Sequence, residues 1–408
     1  MPMTCNWRDA GLVAAGALGG ASLLLLCSQL RTAAARRSVE LEPLEVRQAE
    51  ERKAWLQQQL ANHLKGTTAM AMVYLGDQLK LYKTMSSRNG WTASRLAKAA
   101  GGLKVRLVQE WLAQQAACGI LDFEVETQSF SLPKAAAALL AEDLSGSFFA
   151  PYATMMLACW KRMPTMIQAF RGQCLAPTYD EAGEDLADAM ARLHVPEARF
   201  HFIPKVLPLV QGGSLLKRLT NEQILCADVG ASGADVTIEM ATQFPTATFH
   251  AYEVANPALH RARANVKQKG LRNLQVVDAK VDPLGSSKTK YDFIMCYDVL
   301  HDLSDPEQLM REVREVLAPD GVWVIVDITS EGDMTNNIES HPKAATYYGI
   351  SVCVCLPSGL SADGGRGLGT LGFPPDLAEP MFHNSGFSRV RSFKMPGLEK
   401  NQVYEVQI

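Results

Sequence analysis

The stretch from Ile224 to Glu253 constrains the fold of this chain more than any other part of it. An apolar strand ends at Asp228, a tight turn follows through Gly230 and Gly233, and a helix-like run leads to a second strand ending in Glu253. Glycines let the backbone approach a ligand closely, and an acidic residue after the second strand can accept hydrogen bonds from ribose hydroxyls. The pattern therefore predicts a β-turn-α-β unit that binds an adenosine-type cofactor.

The alternation of strands and helices continues beyond Glu253. LQVVDAK, YDFIMCYDVL and GVWVIVDI read as strands, and PALHRARANVKQKG and DPEQLMREVREVLAPDG read as helices. SRVRSFKM and QVYEVQI predict an antiparallel pair joined by a turn through Pro396 and Gly397. Such alternation indicates a parallel sheet covered on both faces, which binds ligands at the carboxyl ends of its strands. The polar residues expected at that edge are Asp228, Glu253, Asp278, Tyr297 and Asp298.

Residues 220–408 resemble a class I S-adenosylmethionine (SAM)-dependent methyltransferase domain. The stretch YDFIMCYDVLHDLSDPEQLMREVREVLAPDG is similar to the fourth motif of winged-helix small-molecule O-methyltransferases, in which a His-Asp pair follows the fourth strand. The resemblance implies an α/β fold with a Rossmann-like seven-stranded sheet, antiparallel C-terminal strands and SAM as cofactor. It assigns Asp228, Gly230 and Gly233 to the methionine-side loop, Glu253 to the ribose, Asp278 and Ala279 to the adenine edge, and adds Tyr297 to the cofactor-binding residues.

The turn departs from the family pattern at two positions. An acidic-x-Gly-x-Gly-x-Gly motif is usual, but Ser232 and Ala234 replace the last two glycines, and Gly233 lies between them. Both residues are small enough to allow the turn, although their Cβ atoms oppose any conformation with positive φ.

His301 is the candidate general base, because histidine titrates near neutral pH and this one follows a strand end. Asp302 or Asp305 could orient the imidazole, and Asp327, at the end of the next strand, could act from the neighbouring loop. The resemblance implies that His301 is the base and that Asp327 supports it. The alternatives are a structural histidine and, for Asp305 before Pro306, a plain helix N-cap.

Composition argues against several other classes of protein. The net charge of −3 and the absence of a long basic run give little electrostatic support for binding nucleic acid. The nine cysteines include no CxxC spacing, so no metal site is predicted, and a reducing setting is the simplest interpretation.

The N-terminus differs from the rest of the chain. The uncharged stretch from Ala10 to Leu30 is long enough to span a bilayer, and Arg31, Arg36 and Arg37 follow it. This favours a single-pass membrane anchor with a cytosolic catalytic domain. A cleaved secretory signal and a mitochondrial presegment are the alternatives.

Four regions follow from these patterns: an anchor or targeting segment (1–40), a winged-helix domain (41–150), a helical linker lining the acceptor pocket (151–219) and the methyltransferase domain (220–408). Helix 103–118 of the winged helix is largely apolar, which favours a core and dimerisation role over DNA reading. The resemblance likewise implies a homodimer. The Met- and aromatic-rich linker is interpreted either as core or as pocket wall.

A long insertion, residues 331–373, is rich in glycine and predicts either a mobile lid or a surface excursion. Its HP…Gly-Leu-Gly-Thr stretch is similar to that of bacterial, mycobacterial-type winged-helix methyltransferases, over roughly residues 65–408. Candidate acceptor contacts within it are His341, Tyr347, Tyr348 and Cys353.

These observations predict a membrane-associated SAM-dependent methyltransferase that acts on a small, hydroxylated acceptor. The first alternative is a catalytically inactive SAM-binding or structural dimer in which Ser232 and Ala234 have altered the cofactor loop. The turn after Asp228 lacks the Gly-x-Gly-x-x-Gly motif that a nicotinamide-dependent oxidoreductase would have there. The net charge disfavours a DNA-binding regulator.

Overall fold

The computed structural model describes residues 49–408 apart from 144, 180 and 182. The chain divides into two compact units, Met1–Thr68 and Ala69–Ile408. Among the described residues, no helix combines the length and apolar character needed to cross a membrane. This finding contradicts the predicted membrane localisation. Residues 10–30, on which the predicted anchor and its targeting alternatives rested, lie outside the described part of the chain.

The region after residue 49 begins with four helices, two short strands and a fifth helix. Their bounds are α1 Ala49–Gln78, α2 Leu81–Met85, α3 Ala93–Ala99, α4 Val105–Ala117, β1 Asp122–Glu124, β2 Ser129–Ser131 and α5 Lys134–Leu140. Thr92 caps α3 by accepting a hydrogen bond from the backbone of Arg95, as its position before the helix predicts. Helix α1 continues without a break to Gln78, and α2 begins after Lys80, whose φ is 54°.

Helix α4 turns its apolar face inward. Val108, Trp111 and Leu112 are buried in a cluster with Tyr82. The Trp111 indole donates to the backbone oxygen of Met72 at 2.9 Å, so this large side chain buries its polar atom with a partner. Burial of these residues accounts for the apolar pattern of the helix.

The next part of the chain is helical. It comprises α6 Pro151–Phe170, α7 Gly183–Glu197, a π-helical segment Ala198–Val206, a short 3₁₀ turn Val210–Gly213 and α8 Ser214–Asn221. Pro196 lies inside α7 and Pro204 inside the π-helical segment. Because proline lacks an N–H, regular α-helical bonding is interrupted there. Glu197 is therefore placed where the α-helix changes into the π-helix.

A mixed sheet forms the remainder of the chain with the helices that cover it. In chain order its first elements are β3 Leu225–Val229, α9 Asp235–Gln243, β4 Thr248–Glu253, α10 Asn256–Lys269, β5 Leu274–Asp278, β6 Tyr291–Tyr297, α11 Pro306–Val316 and β7 Leu317–Ile328. Three helices then occupy the insertion, namely α12 Met334–Ser340, α13 Ala344–Cys353 and α14 Cys355–Gly359. The last elements are α15 Pro375–Asn384, β8 Arg389–Lys394 and β9 Asn401–Gln407.

The strand order is β5-β4-β3-β6-β7-β9-β8: the first five strands are parallel, β9 is antiparallel to β7, and β8 pairs antiparallel with β9. The predicted seven-stranded α/β sheet with antiparallel C-terminal strands is therefore confirmed. Apolar side chains on both faces are buried, in separate clusters that include Phe249 and Phe293 on one face and Ile294 and Trp323 on the other. Both faces are covered, as parallel strands require.

The insertion is more regular than its glycines suggest, since α12, α13 and α14 fall within it. Its glycines are concentrated after α14, where Gly364, Gly367 and Gly369 have positive φ. The amide of Arg366 in that stretch donates to the backbone oxygen of Ser304 at 2.9 Å. The segment predicted as a mobile lid or a surface excursion therefore contains three helices and a hydrogen-bonded coil.

Candidate active site

The sheet reverses its strand order between β3 and β6, and ligands bind to such sheets at this switch point. Asp228 near the end of β3 is aligned with Met295 in β6, and Glu253 at the end of β4 is aligned with Asp278 at the end of β5. The acidic residues predicted at the strand ends thus share one edge of the sheet.

The turn after β3 has a left-handed backbone at the three positions where the family motif has glycines. Gly230, Ser232 and Ala234 have φ values of 77°, 48° and 58°. A Cβ atom on Gly230 would lie 2.7 Å from Val299, so the loop also needs the small residue there for space. Ser232 and Ala234 adopt the glycine conformation despite their Cβ atoms, at a cost of roughly 1–2 kcal/mol each.

Gly233 is required for a different reason. Its φ is not positive, but an added Cβ would lie 2.5 Å from the Asp235 carboxylate and 3.0 Å from the Arg261 side chain. The backbone oxygen of Gly233 accepts a hydrogen bond from Asn265. Gly233 therefore lets the loop pack against α9 and α10.

Glu253 is held by backbone groups at the end of β4. One carboxylate oxygen accepts from the amide of Ser232 at 2.6 Å, and the other accepts from Val254 and Ala255 at 2.7 and 2.9 Å. The side chain thereby joins the turn after β3 to the turn after β4. Bonds of this kind fix the direction of a carboxylate without another side chain.

Asp228, Asp278 and Ala279 occupy the same edge. Burial raises the pKa of Asp228 to about 7, and the Thr237 hydroxyl donates to its carboxylate at 2.5 Å. Asp278 accepts from the amide of Lys280, and the amide of Ala279 donates to the backbone oxygen of Glu253. The contact with Thr237 therefore links Asp228 near the end of β3 to α9. Asp278 and Ala279 form hydrogen bonds in the turn after β5.

The residues of this edge fit an adenosine-type cofactor. The loop brings backbone close to the strand ends at Gly230, where a Cβ has no space, and the carboxylate of Glu253 is fixed at the end of β4. Both features are those that such cofactors require.

His301 and Asp327 form a buried pair beside this edge. The Nδ1 atom of His301 lies 2.6 Å from Oδ1 of Asp327, and the side chains are 2% and 0% exposed. The same Asp327 oxygen accepts from the amide of Ile328 at 2.7 Å. His301 follows β6 in a 3₁₀ turn and Asp327 lies near the end of β7, so parallel neighbours bring the two together.

Two further carboxylates flank the imidazole. Oδ1 of Asp302 lies 3.3 Å from Nε2 of His301, and Oδ1 of Asp298 lies 3.9 Å from Nδ1. Burial disfavours the imidazolium, but the charges of Asp327 and Asp302 outweigh it and raise the pKa of His301 well above its ordinary value. Burial raises the pKa of Asp302 to about 6, only partly opposed by His301.

Asp298 has a histidine of its own. Its φ is 62°, and its Oδ2 atom lies 3.2 Å from Nε2 of His194 on α7. Burial opposes its charged form, yet the hydrogen bond from His194 and the charges of His301 and Lys400 lower the pKa of Asp298 to about 2. The strained backbone after β6 thus directs a charged carboxylate toward both histidines.

These groups line a cavity with about 730 Å³ of atom-free space, part of which opens to solvent. Most of its wall is apolar and comes from α6, α7 and the insertion, through Met155, Leu186, Met190, Leu193, Ile350 and Val354. A mixture of apolar walls and a few polar groups is typical of pockets that hold small molecules.

The cavity also has a second group of polar residues in its wall. Lys400, from the turn before β9, forms an ion pair with Glu197 of α7. Glu197 also accepts from Asn401 at 3.2 Å and from the hydroxyl of Tyr297 at 3.3 Å. Tyr297, expected among the cofactor contacts, is therefore engaged on the cavity side with the α7 junction.

The insertion supplies part of the wall. Tyr347, Cys355 and Thr370 line the cavity, and Thr370 donates to the Cys355 sulfur at 2.9 Å. The rings of His341 and Tyr347 are tilted against each other, with their centroids 5.4 Å apart. His341, Tyr348 and Cys353 do not line the cavity.

Sequence reasoning missed the residues His194, Glu197, Cys355, Lys400 and Asn401. No local spacing signals them, because their partners lie as many as 204 positions away along the chain, as for Glu197 and Asn401.

Two family models match the chain. Residues 227–323 match the model described as a methyltransferase domain, and residues 67–142 match the Rv2258c-like winged HTH domain. The second match covers the helices and the two-stranded wing around Trp111.

Solved structures with the same fold include several methyltransferases. A proposed O-methyltransferase from Nostoc punctiforme has a TM-score of 0.63 at 16% identity, over 86% of this chain and 98% of that one. Human N-acetylserotonin methyltransferase, solved with SAM, has a TM-score of 0.62 at 11% identity, over 88% and 99%. PigF, solved with S-adenosylhomocysteine (SAH), has a TM-score of 0.61 at 16% identity, over 86% and 99%.

Likenesses at these identities establish the fold, and the family models identify the domains that adopt it. The chain thus contains a methyltransferase domain with the class I SAM-dependent fold, preceded by an Rv2258c-like winged-helix domain.

Proposed function

We propose that this enzyme methylates a small molecule held in the cavity beside His301, with a hydroxyl group as the methyl acceptor. The observation that carries the proposal is the buried pair of His301 and Asp327, 2.6 Å apart, in the wall of a largely apolar cavity. The solved relatives named for O-methyl transfer or bound to SAM or SAH support it.

In this proposal the strand-end loop and its neighbours hold the cofactor. Gly230 and Gly233, braced by Asp228, form the methionine side of the site, Glu253 meets the ribose, and Asp278 and Ala279 border the adenine. When bound, SAM would supply a methyl group on its sulfonium sulfur. The acceptor oxygen would take that methyl group, and SAH would be released. Tyr297 then forms part of the cavity wall, where its hydroxyl donates to Glu197.

His301 is the proposed general base. Its Nδ1–H donates to Asp327, which fixes the tautomer and leaves Nε2 to take the proton of the acceptor hydroxyl. Asp302, 3.3 Å from Nε2, stabilises the imidazolium once the proton has moved. The apolar wall excludes water, so that the hydroxyl is the nucleophile that meets the methyl group.

The experiment is methyl transfer from isotopically labelled SAM to a panel of phenols and aliphatic alcohols, read by mass spectrometry. We expect a methyl ether product from at least one apolar alcohol or phenol. Folded protein that binds SAH but methylates only amines or thiols would contradict the hydroxyl assignment.

A second candidate function is favoured by one observation. Ser232 and Ala234 stand in strained backbone where the motif has glycines, and a loop altered in this way could bind SAM without turning it over. Such a protein would be a SAM-binding or structural dimer. SAH binding without any methylated product from the panel would support this candidate.

We also propose that the protein is a homodimer, as in winged-helix methyltransferases. Leu60 and Leu64 of α1 are 65% and 67% exposed, and Leu107 of α4 is 68% exposed. Exposed apolar side chains on the N-terminal helices are typical of a surface that a second subunit covers. Light scattering on the purified chain tests this, and a monomeric mass at micromolar concentration would contradict it.

A further inference from the structure

The cavity contains more carboxylates than its cations balance. Glu197 is neutralised by Lys400. The remaining acidic residues in the wall are Asp298, Asp302 and Asp327; His194 and His301 lie against them, and Lys400 acts on Asp298 from its ion pair with Glu197.

Each of these three aspartates has one oxygen atom that is buried and accepts no hydrogen bond. The atoms are Oδ1 of Asp298, Oδ1 of Asp302 and Oδ2 of Asp327. Asp327 is fully buried, and all three residues line the cavity. Burying a carboxylate oxygen without a donor is costly, so a set of three calls for a group that supplies donors and positive charge.

The histidines cannot supply enough donors. The Nδ1–H of His301 is used by Asp327, and His194 is directed at the other oxygen of Asp298, Oδ2. The unpartnered oxygen of Asp302 lies on the Nε2 side of His301, and that of Asp298 lies nearest the Nδ1 side. The unpartnered oxygens of Asp302 and Asp298 therefore lie near different nitrogens of the imidazole. We call the three aspartates the acidic wall (Asp298, Asp302 and Asp327).

The rest of the cavity suits an apolar molecule with a cationic end. Met190 and Ile350 provide apolar surface, and Tyr179, Tyr297 and Tyr347 provide aromatic rings. Ring faces attract an ammonium group, and a primary ammonium has three N–H donors to share among separate oxygens.

We propose that the acceptor carries a protonated amine, which binds at the acidic wall while its apolar body fills the cavity. This inference rests on the proposed function and names its substrate class: a hydroxylated amine rather than a neutral phenol or alcohol. The ammonium supplies the donors that the unpartnered oxygens lack, and the neutral hydroxyl remains available to His301.

A divalent cation is the alternative partner for the same atoms. His301 with Asp298 and Asp327 forms one group that could hold a metal ion, and His301 with Asp302 and Cys355 forms another. These groups share only the histidine, so one ion at metal–ligand distances of about 2 Å does not gather all the unpartnered oxygens. An ammonium forms longer bonds, about 2.7–2.9 Å, and can donate to some of these oxygens without gathering them into a closed ligand set.

The test compares matched ligands on the full chain saturated with SAH, which fills the cofactor site without a sulfonium charge. Tyramine is titrated against tyrosol, and phenethylamine against 2-phenylethanol, by calorimetry at pH 7 in the presence of EDTA. We expect each amine to bind at least tenfold more tightly than its neutral partner. Asp302→Asn should remove most of that preference, and Asp298→Asn provides a second variant in case the first does not fold.

The matched control is Asp305→Asn, which removes the same charge from an exposed helix cap outside the cavity. It should leave the amine preference unchanged. Equal affinities within each pair, no binding of either amine, or a preference that survives both wall variants would overturn the inference. So would an amine preference that appears only after Zn²⁺ or Mg²⁺ is added. Methylation of tyrosol with no amine preference would leave the proposed function standing, whereas failure to bind SAH would refute both.

Discussion

At the scale of single residues, the proposed chemistry depends on His301. Its ring is fixed by Asp327 and enclosed by two more carboxylates, an environment that strengthens it as a base while holding its proton more firmly. A base of this kind works by being positioned, and its removal should affect turnover more than cofactor binding.

We expect His301→Asn to lower kcat about 10²–10⁴-fold, the usual contribution of a positioned base. SAH affinity should stay within about twofold of the wild type, because His301 belongs to the cavity wall and not to the strand-end loop. His260→Asn, a change at an exposed position on α10, is the control. Wild-type turnover by His301→Asn would remove the general-base assignment.

The pH profile follows from the direction of the His301 pKa. The raised pKa means that the neutral, proton-accepting ring is populated only as pH rises through that value. We expect kcat/KM to increase with pH, with a midpoint above the ordinary histidine value of about 6.5. Asp327→Asn removes the nearest negative charge and should move the midpoint to lower pH; a midpoint that does not move would contradict the coupling.

At the scale of elements, the turn between β3 and α9 carries the cofactor proposal. Gly230 and Gly270 provide a matched pair, since both have positive φ, but a Cβ meets Val299 at the first and no atom within 4 Å at the second.

Gly270→Ala should therefore cost only the backbone strain, about 1–2 kcal/mol in the free energy of unfolding. Gly230→Ala adds a steric collision worth a further ~1–3 kcal/mol and should weaken SAH binding as well. Chemical denaturation and calorimetry measure the two effects. Equal losses in both variants, with SAH affinity intact, would show that the loop tolerates a side chain at Gly230.

The elements also show what the sequence could foretell. The strands, their succession along the chain and the acids at their ends follow from apolar runs and turns. The pairing of His301 with Asp327 follows because neighbouring parallel strands end at one edge of the sheet. The helices of the insertion were harder to predict, because the many glycines that follow them are typical of a loop. Ser232 adopts a conformation that its residue type disfavours. Its Cβ atom opposes a positive φ, but the turn after β3 holds it at such a φ.

At the scale of the whole molecule, contacts between distant segments build the cavity. The pair of Glu197 and Lys400 joins the α-to-π junction to the turn before β9, and only the folded chain brings the two together. No sequence pattern signals such a pair, which is why this wall escaped prediction while the histidine did not.

Lys400→Met should lower the free energy of unfolding by about 3–5 kcal/mol, because it leaves Glu197 charged and buried without its partner. Adding Glu197→Gln should recover much of that loss. The control is Lys394→Met, which breaks an exposed pair with Glu331 worth less than ~1 kcal/mol. Urea denaturation compares the four proteins, and a similar cost for Lys394→Met and Lys400→Met would contradict the buried pairing.

The central claim is that the strand-end loop of this chain binds the SAM cofactor, and calorimetric titration of the full chain with SAM and SAH tests it most directly. We expect both ligands to bind with a Kd on the order of micromolar, and Glu253→Ala to weaken both, because Glu253 joins the two turns that we propose hold the ribose. Folded protein that binds neither ligand, or a Glu253→Ala variant with unchanged affinity, would contradict the claim.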